Sequence, residues 1–409
     1  MDQIRQNTNW GIVAVALAAG IVAALQVGKL PSMLPILRDE LKISMVTAGW
    51  VASLFNGCAA LLGVLIGLVT DRISARSVLF TCTVLLGLGN LIGAMAPSVS
   101  VLFTARLIEG VGLVGVVVAA PTIITASSKR EDRALTLSIW GIYMPAGMAV
   151  AMVFTPFLIP MVGWRGVWLV NFGIIVVLLL VLIRVMASRR WTDSSGGKGQ
   201  RSWQEVRQTL LMKGPWILGA CFTLYALQFF AVMIWLPTYL IETQQRTPES
   251  AAFISAAVVF INIFGNLSVA WFIRWGIERW VLAAIAYGVM SVTAVGIFSP
   301  LAPDSLKIPL AFMFSAVGGL LPTAILASAP LHSPSQMQVA TTNGIIVQGA
   351  NCGSLVGPPV MAATISLFGG WHNAYLLLLI CSFIGLGFVL RLGVIERSMC
   401  ARPVETSDR

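Results

Sequence analysis

Long apolar runs alternate with short polar segments along the whole chain. Each run covers about twenty residues, the length that an α-helix needs to cross the ~30 Å hydrocarbon layer of a bilayer. The runs are too long and too uniformly apolar for strands of a membrane barrel, in which inward and outward residues alternate. The pattern predicts twelve membrane-spanning helices, near residues 10–31, 47–70, 77–96, 101–126, 134–160, 166–187, 215–241, 249–273, 280–299, 308–331, 339–368 and 372–392.

One long polar segment interrupts this pattern after the sixth run. Residues 188–214 are basic and rich in Gly and Ser at their centre, which is typical of a linker. We therefore expect a first six-helix bundle over 10–187, a cytoplasmic linker over 188–214 and a second bundle over 215–397. The stretch "VGWRGVW" after the fifth run is echoed by "GGWHNAY" after the eleventh. This echo favours an internal repeat, as in many secondary transporters.

Composition supports membrane insertion. Hydrophobic residues make up 57% of the chain and charged residues only 10%, with a mean hydropathy of +0.88. A soluble domain carries about 25% charged residues. This composition excludes a large soluble enzyme.

The basic residues indicate an orientation. Most of the 26 Lys and Arg residues fall in the loops on the side that also holds both termini. Positive loops face the cytoplasm, so we expect both termini there, in a multi-pass protein of a bacterial cytoplasmic membrane. The net charge of +10 is accounted for by anionic lipid on that face, without a nucleic-acid partner.

A small charged motif follows the second run. The stretch "GLVTDRISAR" resembles the signature of the major facilitator superfamily between helices two and three, Gly-x-x-x-Asp-Arg-x-Gly-Arg-Arg/Lys. The matching positions are Gly67, Asp71, Arg72 and Arg76. Ser74 and Ala75 depart from the pattern, which puts the local turn and one ion pair in doubt.

A second motif lies in the fourth run. "RLIEGVG", residues 106–112, is similar to the family's Arg-x-x-Gln-Gly-x-Gly, with Glu109 in place of Gln. The resemblance implies an all-α membrane protein with the superfamily fold: twelve helices in two pseudo-symmetric six-helix bundles. It also implies that the Asp71 cluster latches the two halves together on the cytoplasmic side. The alternative is that these charges only mark topology.

Ionisable residues at membrane depth cost about 2.5–3.5 kcal/mol each on insertion scales, so they usually face a cavity or a partner. Arg106 and Glu109 are one helical turn apart, close enough to pair. The resemblance implies a role for Arg106 in substrate binding or proton coupling, and Glu109 is the best candidate for a titrating group. A static pair that steadies the helix is the alternative.

Lys29 lies late in the first predicted span. Its side chain either snorkels to the outer interface or contacts an anionic substrate. Two cations against one carboxylate favour an anion or a polar neutral solute over a cation.

The second half contributes neutral polar residues to its apolar runs. They either contact substrate or bridge neighbouring helices. These candidates are Tyr225, Gln228, Asn262, Gln348 and Asn351.

The sequence therefore predicts a secondary active transporter working by alternating access, as a monomer, with proton coupling as a hypothesis. It contains no phosphate-binding Gly-x4-Gly-Lys-Ser/Thr loop and no nucleophile–base motif, and we expect no enzyme activity, cofactor or metal. The "WLPTYL" stretch and the "GPP" of the eleventh run resemble anion-uptake branches such as the cyanate permease group. Drug or metabolite efflux by an antiporter is the alternative function.

Overall fold

The computed structural model describes the backbone of residues 7–72, 74–187, 203–335 and 338–400, and every regular element within these ranges is a helix. The first half of the chain forms α1 (Trp10–Leu41), α2 (Met45–Arg72), α3 (Ala75–Ala94), α4 (Val99–Ser127), α5 (Arg133–Trp140) and α6 (Tyr143–Ala187). The second half forms α7 (Trp203–Leu211), α8 (Lys213–Gln244), α9 (Pro248–Arg274), α10 (Arg279–Phe298), α11 (Asp304–Gly318), α12 (Leu320–Ser328), α13 (Val339–Leu367), a 3-10 turn (Trp371–Asn373) and α14 (Tyr375–Cys400).

Many of these helices are long and apolar enough to cross a membrane. Within the described ranges, nine helical stretches meet that condition. One of them, Leu135–Val185, has 51 residues, which is more than twice the length that one crossing needs. The expected all-α membrane fold is confirmed, whereas the count of twelve crossings stays a prediction.

The long helix α6 is bent at Gly163. This residue has φ 67° and ψ 174°, a conformation that a side chain would strain. The bend falls between the predicted fifth and sixth spans, so a single residue is the junction between these two predicted crossings.

The first helix is longer than predicted. The expected span ended at residue 31, but α1 continues through Pro31 and Pro35 to Leu41. Prolines are tolerated inside membrane helices, where neighbouring groups satisfy the freed backbone. Lys29 consequently lies well inside the helix rather than near its end. The predicted tenth span is also divided, into α11 and α12, which meet at Gly319.

The described residues form two compact units. Unit 1 contains α1 to α6 together with Phe230–Phe260 and Ser354–Leu367, and unit 2 contains the rest of α7 to α14. Unit 1 thus includes the end of α8, the start of α9 and the second part of α13. These three segments belong to the second of the two predicted bundles, 10–187 and 215–397. The contacts of unit 1 explain the difference, since Arg38 of α1 pairs with Glu242 of α8 at 3.2 Å.

A close contact between α2 and α13 also belongs to unit 1. A Cβ atom at Gly49 would lie 2.8 Å from Cα of Pro359, so the two backbones nearly touch. Nearby on α8, the Trp235 indole N–H donates to the Pro358 carbonyl at 2.9 Å. These contacts hold segments of the second sequence half against the first.

Candidate functional site

Three charged side chains meet in the interior of unit 1. They are Lys29 on α1 and the pair Arg106 and Glu109 on α4, and all three are fully buried. They come together because α1 and α3 pack against α4, while α6 packs against α1 and α3.

Glu109 is the centre of this charged cluster. Its Oε1 atom accepts hydrogen bonds from Nζ of Lys29 at 2.8 Å and from Nε1 of Trp168 at 3.0 Å. Its Oε2 atom accepts from Nη1 of Arg106. A buried carboxylate is costly unless its lone pairs are satisfied, and here two cations and an indole satisfy them.

Lys29 uses all three of its N–H donors. Besides Glu109, its Nζ donates to Oε1 of Gln26 at 2.7 Å and to Oδ1 of Asn90 at 2.8 Å. The ammonium also lies 4.3 Å from the ring centroid of Trp168, within the range of a cation–π contact. Lys29 therefore does not snorkel to the interface, which was one of the two expectations for it.

Arg106 is held by backbone carbonyls on two other helices. Its Nε donates to the Val51 carbonyl and its Nη1 to the Gln26 carbonyl, each at 3.1 Å, and its guanidinium lies 4.6 Å from the Phe55 ring centroid. Its Nη2 atom is buried and has no hydrogen-bond partner within the described ranges. An unsatisfied buried donor costs about 1–3 kcal/mol, and more when it is charged. Nη2 can therefore gain most from an incoming acceptor.

The cluster carries an excess of positive charge. With all groups ionised, Lys29 and Arg106 contribute two positive charges against one on Glu109, and no other carboxylate among the described side chains of unit 1 is buried. Such an excess in an apolar interior attracts an anion.

Four buried residues of this cluster were not among the predicted site residues: Gln26, Asn90, Trp168 and Asn171. Nε2 of Gln26 donates to Oδ1 of Asn171 at 3.3 Å, so the amides continue the network from α1 to α6. The three amides, Gln26, Asn90 and Asn171, could have been found in the sequence as polar side chains within apolar runs. Trp168 belongs to the "VGWRGVW" stretch that suggested an internal repeat.

The predicted residues of the second half lie in unit 2. Nδ2 of Asn262 donates to the Tyr225 hydroxyl at 3.3 Å and to the Ser315 carbonyl at 2.8 Å. Nδ2 of Asn266 donates to Oδ1 of Asn262 at 2.8 Å. This group joins α8, α9 and α11 and so forms the helix bridges that were one of the two expectations.

Gln228 makes another such bridge. Its Oε1 accepts from the Ser382 hydroxyl at 2.8 Å, which joins α8 to α14. Gln348 and Asn351 lie partly exposed on α13.

The charged motif after α2 is described only in part. The side chains of Gly67, Asp71 and Arg72 lie outside the described residues. Arg76 is partly buried in the first turn of α3, which Ser74 caps by accepting a hydrogen bond from the Ser77 amide at 3.2 Å.

Comparison with known protein families gives one match across most of the chain. Residues 16–342 match the model described as Major Facilitator Superfamily. This range includes the charged cluster of unit 1 and the Asn262 group of unit 2.

Three curated relatives cover most of the chain at low identity. The proposed niacin/nicotinamide transporter NiaP of Bacillus subtilis is 22% identical, over 85% of this chain and 86% of its own. The 4-hydroxybenzoate transporter PcaK of Acinetobacter baylyi is 23% identical, over 85% and 84%. The hexuronate transporter of Bacillus subtilis is 20% identical, over 90% of each chain.

A solved structure has the same fold. The bacterial homologue of the human lysosomal transporter Spinster, in an inward-facing and occupied conformation, superposes with a TM-score of 0.81 and 14% identity. The match covers 96% of this chain and 98% of that chain.

Proposed function

The chain belongs to the Major Facilitator Superfamily, and on that premise we propose that it moves small organic anions across the membrane by proton-coupled symport. The relatives that cover most of the chain are named as transporters of small organic solutes. The anionic substrate and the proton coupling are the new parts of this proposal.

The observation that carries the proposal is the charge balance around Glu109. Lys29 and Arg106 are both buried and share this one carboxylate, and Nη2 of Arg106 is an unused donor. A substrate carboxylate that accepts from Nη2 would balance the second cation. A guanidinium suits this task, because its planar fork matches a carboxylate.

The same arrangement supports coupling to protons. A substrate carboxylate and Glu109 compete for the same two cations, and two neighbouring carboxylates disfavour the ionised form of each other. Substrate binding therefore favours proton uptake by Glu109. By linkage, protonation of Glu109 favours substrate binding to the same extent, which is what symport requires.

The names of two relatives agree with an anionic substrate. Both 4-hydroxybenzoate and hexuronate are carboxylates, and the proteins named for them cover most of this chain. Two further relatives, galactose–proton and arabinose–proton symporters of Escherichia coli, are named for proton coupling and match about half of the chain.

A transport assay with matched solutes tests the proposal. The purified protein is reconstituted in liposomes, and counterflow is measured with radiolabelled nicotinate, 4-hydroxybenzoate and glucuronate. Nicotinamide and galactose serve as neutral controls, and ethidium as a cationic control. We expect counterflow of at least one carboxylate and its accumulation when the liposome interior is made alkaline. Faster transport of the neutral or cationic solutes than of every carboxylate would overturn the proposal.

The orientation belongs to the same proposal. We place both termini and the 188–214 linker on the cytoplasmic side of a bacterial cytoplasmic membrane, because the basic residues concentrate there. Single cysteines introduced between 190 and 212 should react with an impermeant maleimide in inside-out vesicles only. Reaction in intact cells would show that the linker faces the outside and would contradict the proposed orientation.

The Asp71 motif completes the proposal as a latch on that side. The interaction of an exposed carboxylate with the N-terminus of a neighbouring helix contributes about 0.3–1 kcal/mol. Such a latch is weak enough to break in each transport cycle. Asp71→Asn should lower transport without lowering the amount of inserted protein. Unchanged transport in this variant would leave Asp71 as a marker of topology.

A further inference from the structure

The "VGWRGVW" stretch, residues 162–168, lies in the middle of α6. It begins at the bend of α6 and contains Trp164 and Trp168, which are one helical turn apart. Trp168 is fully buried beside the charged cluster, so this stretch reaches the site from the bend.

We propose that Trp168 is a positioning residue for Glu109: its indole N–H fixes the orientation of the carboxylate, and its ring face holds the Lys29 ammonium against the same carboxylate. This inference rests on the proposed function only where it takes Glu109 as the proton-coupling group. The contacts themselves are independent of what is transported.

Two contacts of Trp168 support this role. Its Nε1 donates to Oε1 of Glu109 at 3.0 Å, the same oxygen that Lys29 contacts at 2.8 Å. Its ring lies 4.3 Å from Nζ of Lys29. One side chain thus contacts both members of the ion pair, and it fixes which carboxylate oxygen faces α1 and which faces Arg106.

The position of Trp168 is itself tightly fixed. On α3, a Cβ atom at Gly93 would lie 2.4 Å from Nε1 of Trp168, so the indole occupies space that only a glycine leaves free. On its own helix, the Trp164 ring packs edge-on at 5.6 Å between centroids. A side chain packed on two sides keeps one rotamer, which a positioning group needs.

Trp164 is anchored at the end of the first helix. Its Nε1 donates to Oε2 of Glu40 at 2.6 Å, and the neighbouring Arg165 donates to Oε1 of Glu40 and, at 3.2 Å, to the Ala96 carbonyl. The two tryptophans therefore each donate to a carboxylate, one partly exposed and one fully buried. Trp164→Phe is accordingly a matched control for Trp168→Phe, because each variant removes one indole N–H from one carboxylate.

The charged groups that face Glu109 are few. Lys29 faces it from α1 and Arg106 from α4 itself, while α3 contributes the backbone around Gly89 and α6 contributes the uncharged Trp168. A change at residue 168 therefore alters the hydrogen bonding of Glu109 without altering the charge around it.

Infrared difference spectroscopy on the full-length protein in liposomes tests the proposal without a substrate. The carboxyl band of Glu109 is assigned as the band that Glu109→Gln removes, and it is followed from pH 4 to pH 10. The stretching frequency of a carboxylate responds to the hydrogen bonds that it accepts. We expect the carboxylate band of Glu109 to change in frequency in Trp168→Phe and to stay in place in Trp164→Phe.

The outcomes separate this inference from the proposed function. An unchanged frequency in Trp168→Phe, or an equal change in both variants, would overturn the positioning role. If the Glu109 band does not titrate at all in the unmodified protein, proton coupling through Glu109 fails. Trp168 is then judged by the carboxylate stretching frequency, which should change in Trp168→Phe alone.

A second replacement keeps the test possible if Trp168→Phe does not fold. Site-specific incorporation of 3-benzothienylalanine at residue 168 keeps the size and the aromatic face of tryptophan but has sulfur in place of the N–H. We expect the same infrared shift as in Trp168→Phe. A spectrum identical to that of the unmodified protein would show that the N–H has no effect on Glu109.

Discussion

Nζ of Lys29 lies 2.8 Å from Oε1 of Glu109 in the buried interior of unit 1, although the two residues are 80 positions apart in the sequence. This ion pair joins the first and fourth helices. Removing one partner of a buried pair leaves an uncompensated charge, which typically costs about 3–5 kcal/mol. The pair therefore has to remain intact, or be replaced by substrate or proton, for the cluster to stay buried.

Lys29→Met should destabilise the protein strongly. The substitution removes the shared donor of Glu109, Gln26 and Asn90, and we expect a loss of about 3–5 kcal/mol, together with loss of anion counterflow. Thermal unfolding in detergent and counterflow in liposomes measure the two effects. Lys307→Met is the control, because the pair of Lys307 with the exposed Asp304 is worth only about 0–1 kcal/mol.

Glu109→Gln should separate coupling from exchange. Gln keeps the shape of the side chain but cannot take up a proton, so accumulation driven by a pH gradient should stop while substrate exchange continues. Arg106→Ala should abolish both activities, because it removes the cation with the unused Nη2 donor and leaves Glu109 with one cation fewer. Accumulation at the unmodified rate in Glu109→Gln would refute Glu109 as the proton site.

Gly93→Ala should damage the site without changing any polar group. The new Cβ would lie 2.4 Å from Nε1 of Trp168, so the indole must move away from Glu109. Overpacking of this kind typically costs about 1–3 kcal/mol, and we expect reduced transport and a lower unfolding temperature. Gly173→Ala on α6 is the control, since a Cβ there meets no described atom within 4 Å; equal effects of both variants would contradict the prediction.

Glu40 should make stability depend on pH. The hydrogen bond from Arg165, and to a smaller extent that from Trp164, lowers the pKa of the Glu40 carboxyl from its usual value of 4.5. Because the pKa is lowered in the folded protein, the ionised carboxyl group stabilises the fold at pH values above its usual pKa. This contribution disappears as the pH falls through the folded-state pKa. Because both side chains are more than 40% exposed, solvent screening limits the effect to about 1 kcal/mol or less.

Thermal unfolding between pH 3 and pH 8 measures this contribution. Glu40→Gln should lower the unfolding temperature near neutral pH, and the difference from the unmodified protein should vanish at the acidic end. A constant difference for Glu40→Gln at every pH would contradict the prediction.

The helices could be predicted from the sequence because hydropathy sets their length. The predicted span 249–273 differs from α9 (Pro248–Arg274) by one residue at each end, and 280–299 differs from α10 by one. The helix α1, in contrast, continues through Pro31 and Pro35 to Leu41, ten residues beyond the predicted end. Prolines are tolerated inside a membrane helix, because neighbouring groups satisfy the freed backbone.

The expected location of the Lys29 side chain depended on where α1 ends. With a span ending at residue 31, its side chain would be within reach of the interface, whereas the longer α1 carries it into the interior. Arg106 and Glu109 could be recognised as a pair because their spacing is local. The contacts of Trp168, Asn90 and Gln26 could not be recognised. They depend on how α1 and α3 pack against α4 and how α6 packs against α1 and α3, and hydropathy does not encode that packing.

The bend at Gly163 leaves no loop between the predicted fifth and sixth crossings. An α-helix turns by about 100° per residue, so one residue inserted after Gly163 would rotate Trp168 a quarter of a turn or more away from Glu109. A longer loop elsewhere absorbs an insertion, but here the chain passes directly from one helical segment into the next. Four residues separate Gly163 from Trp168. We expect related chains that use this tryptophan to keep that number constant, whereas the length of their linkers can vary.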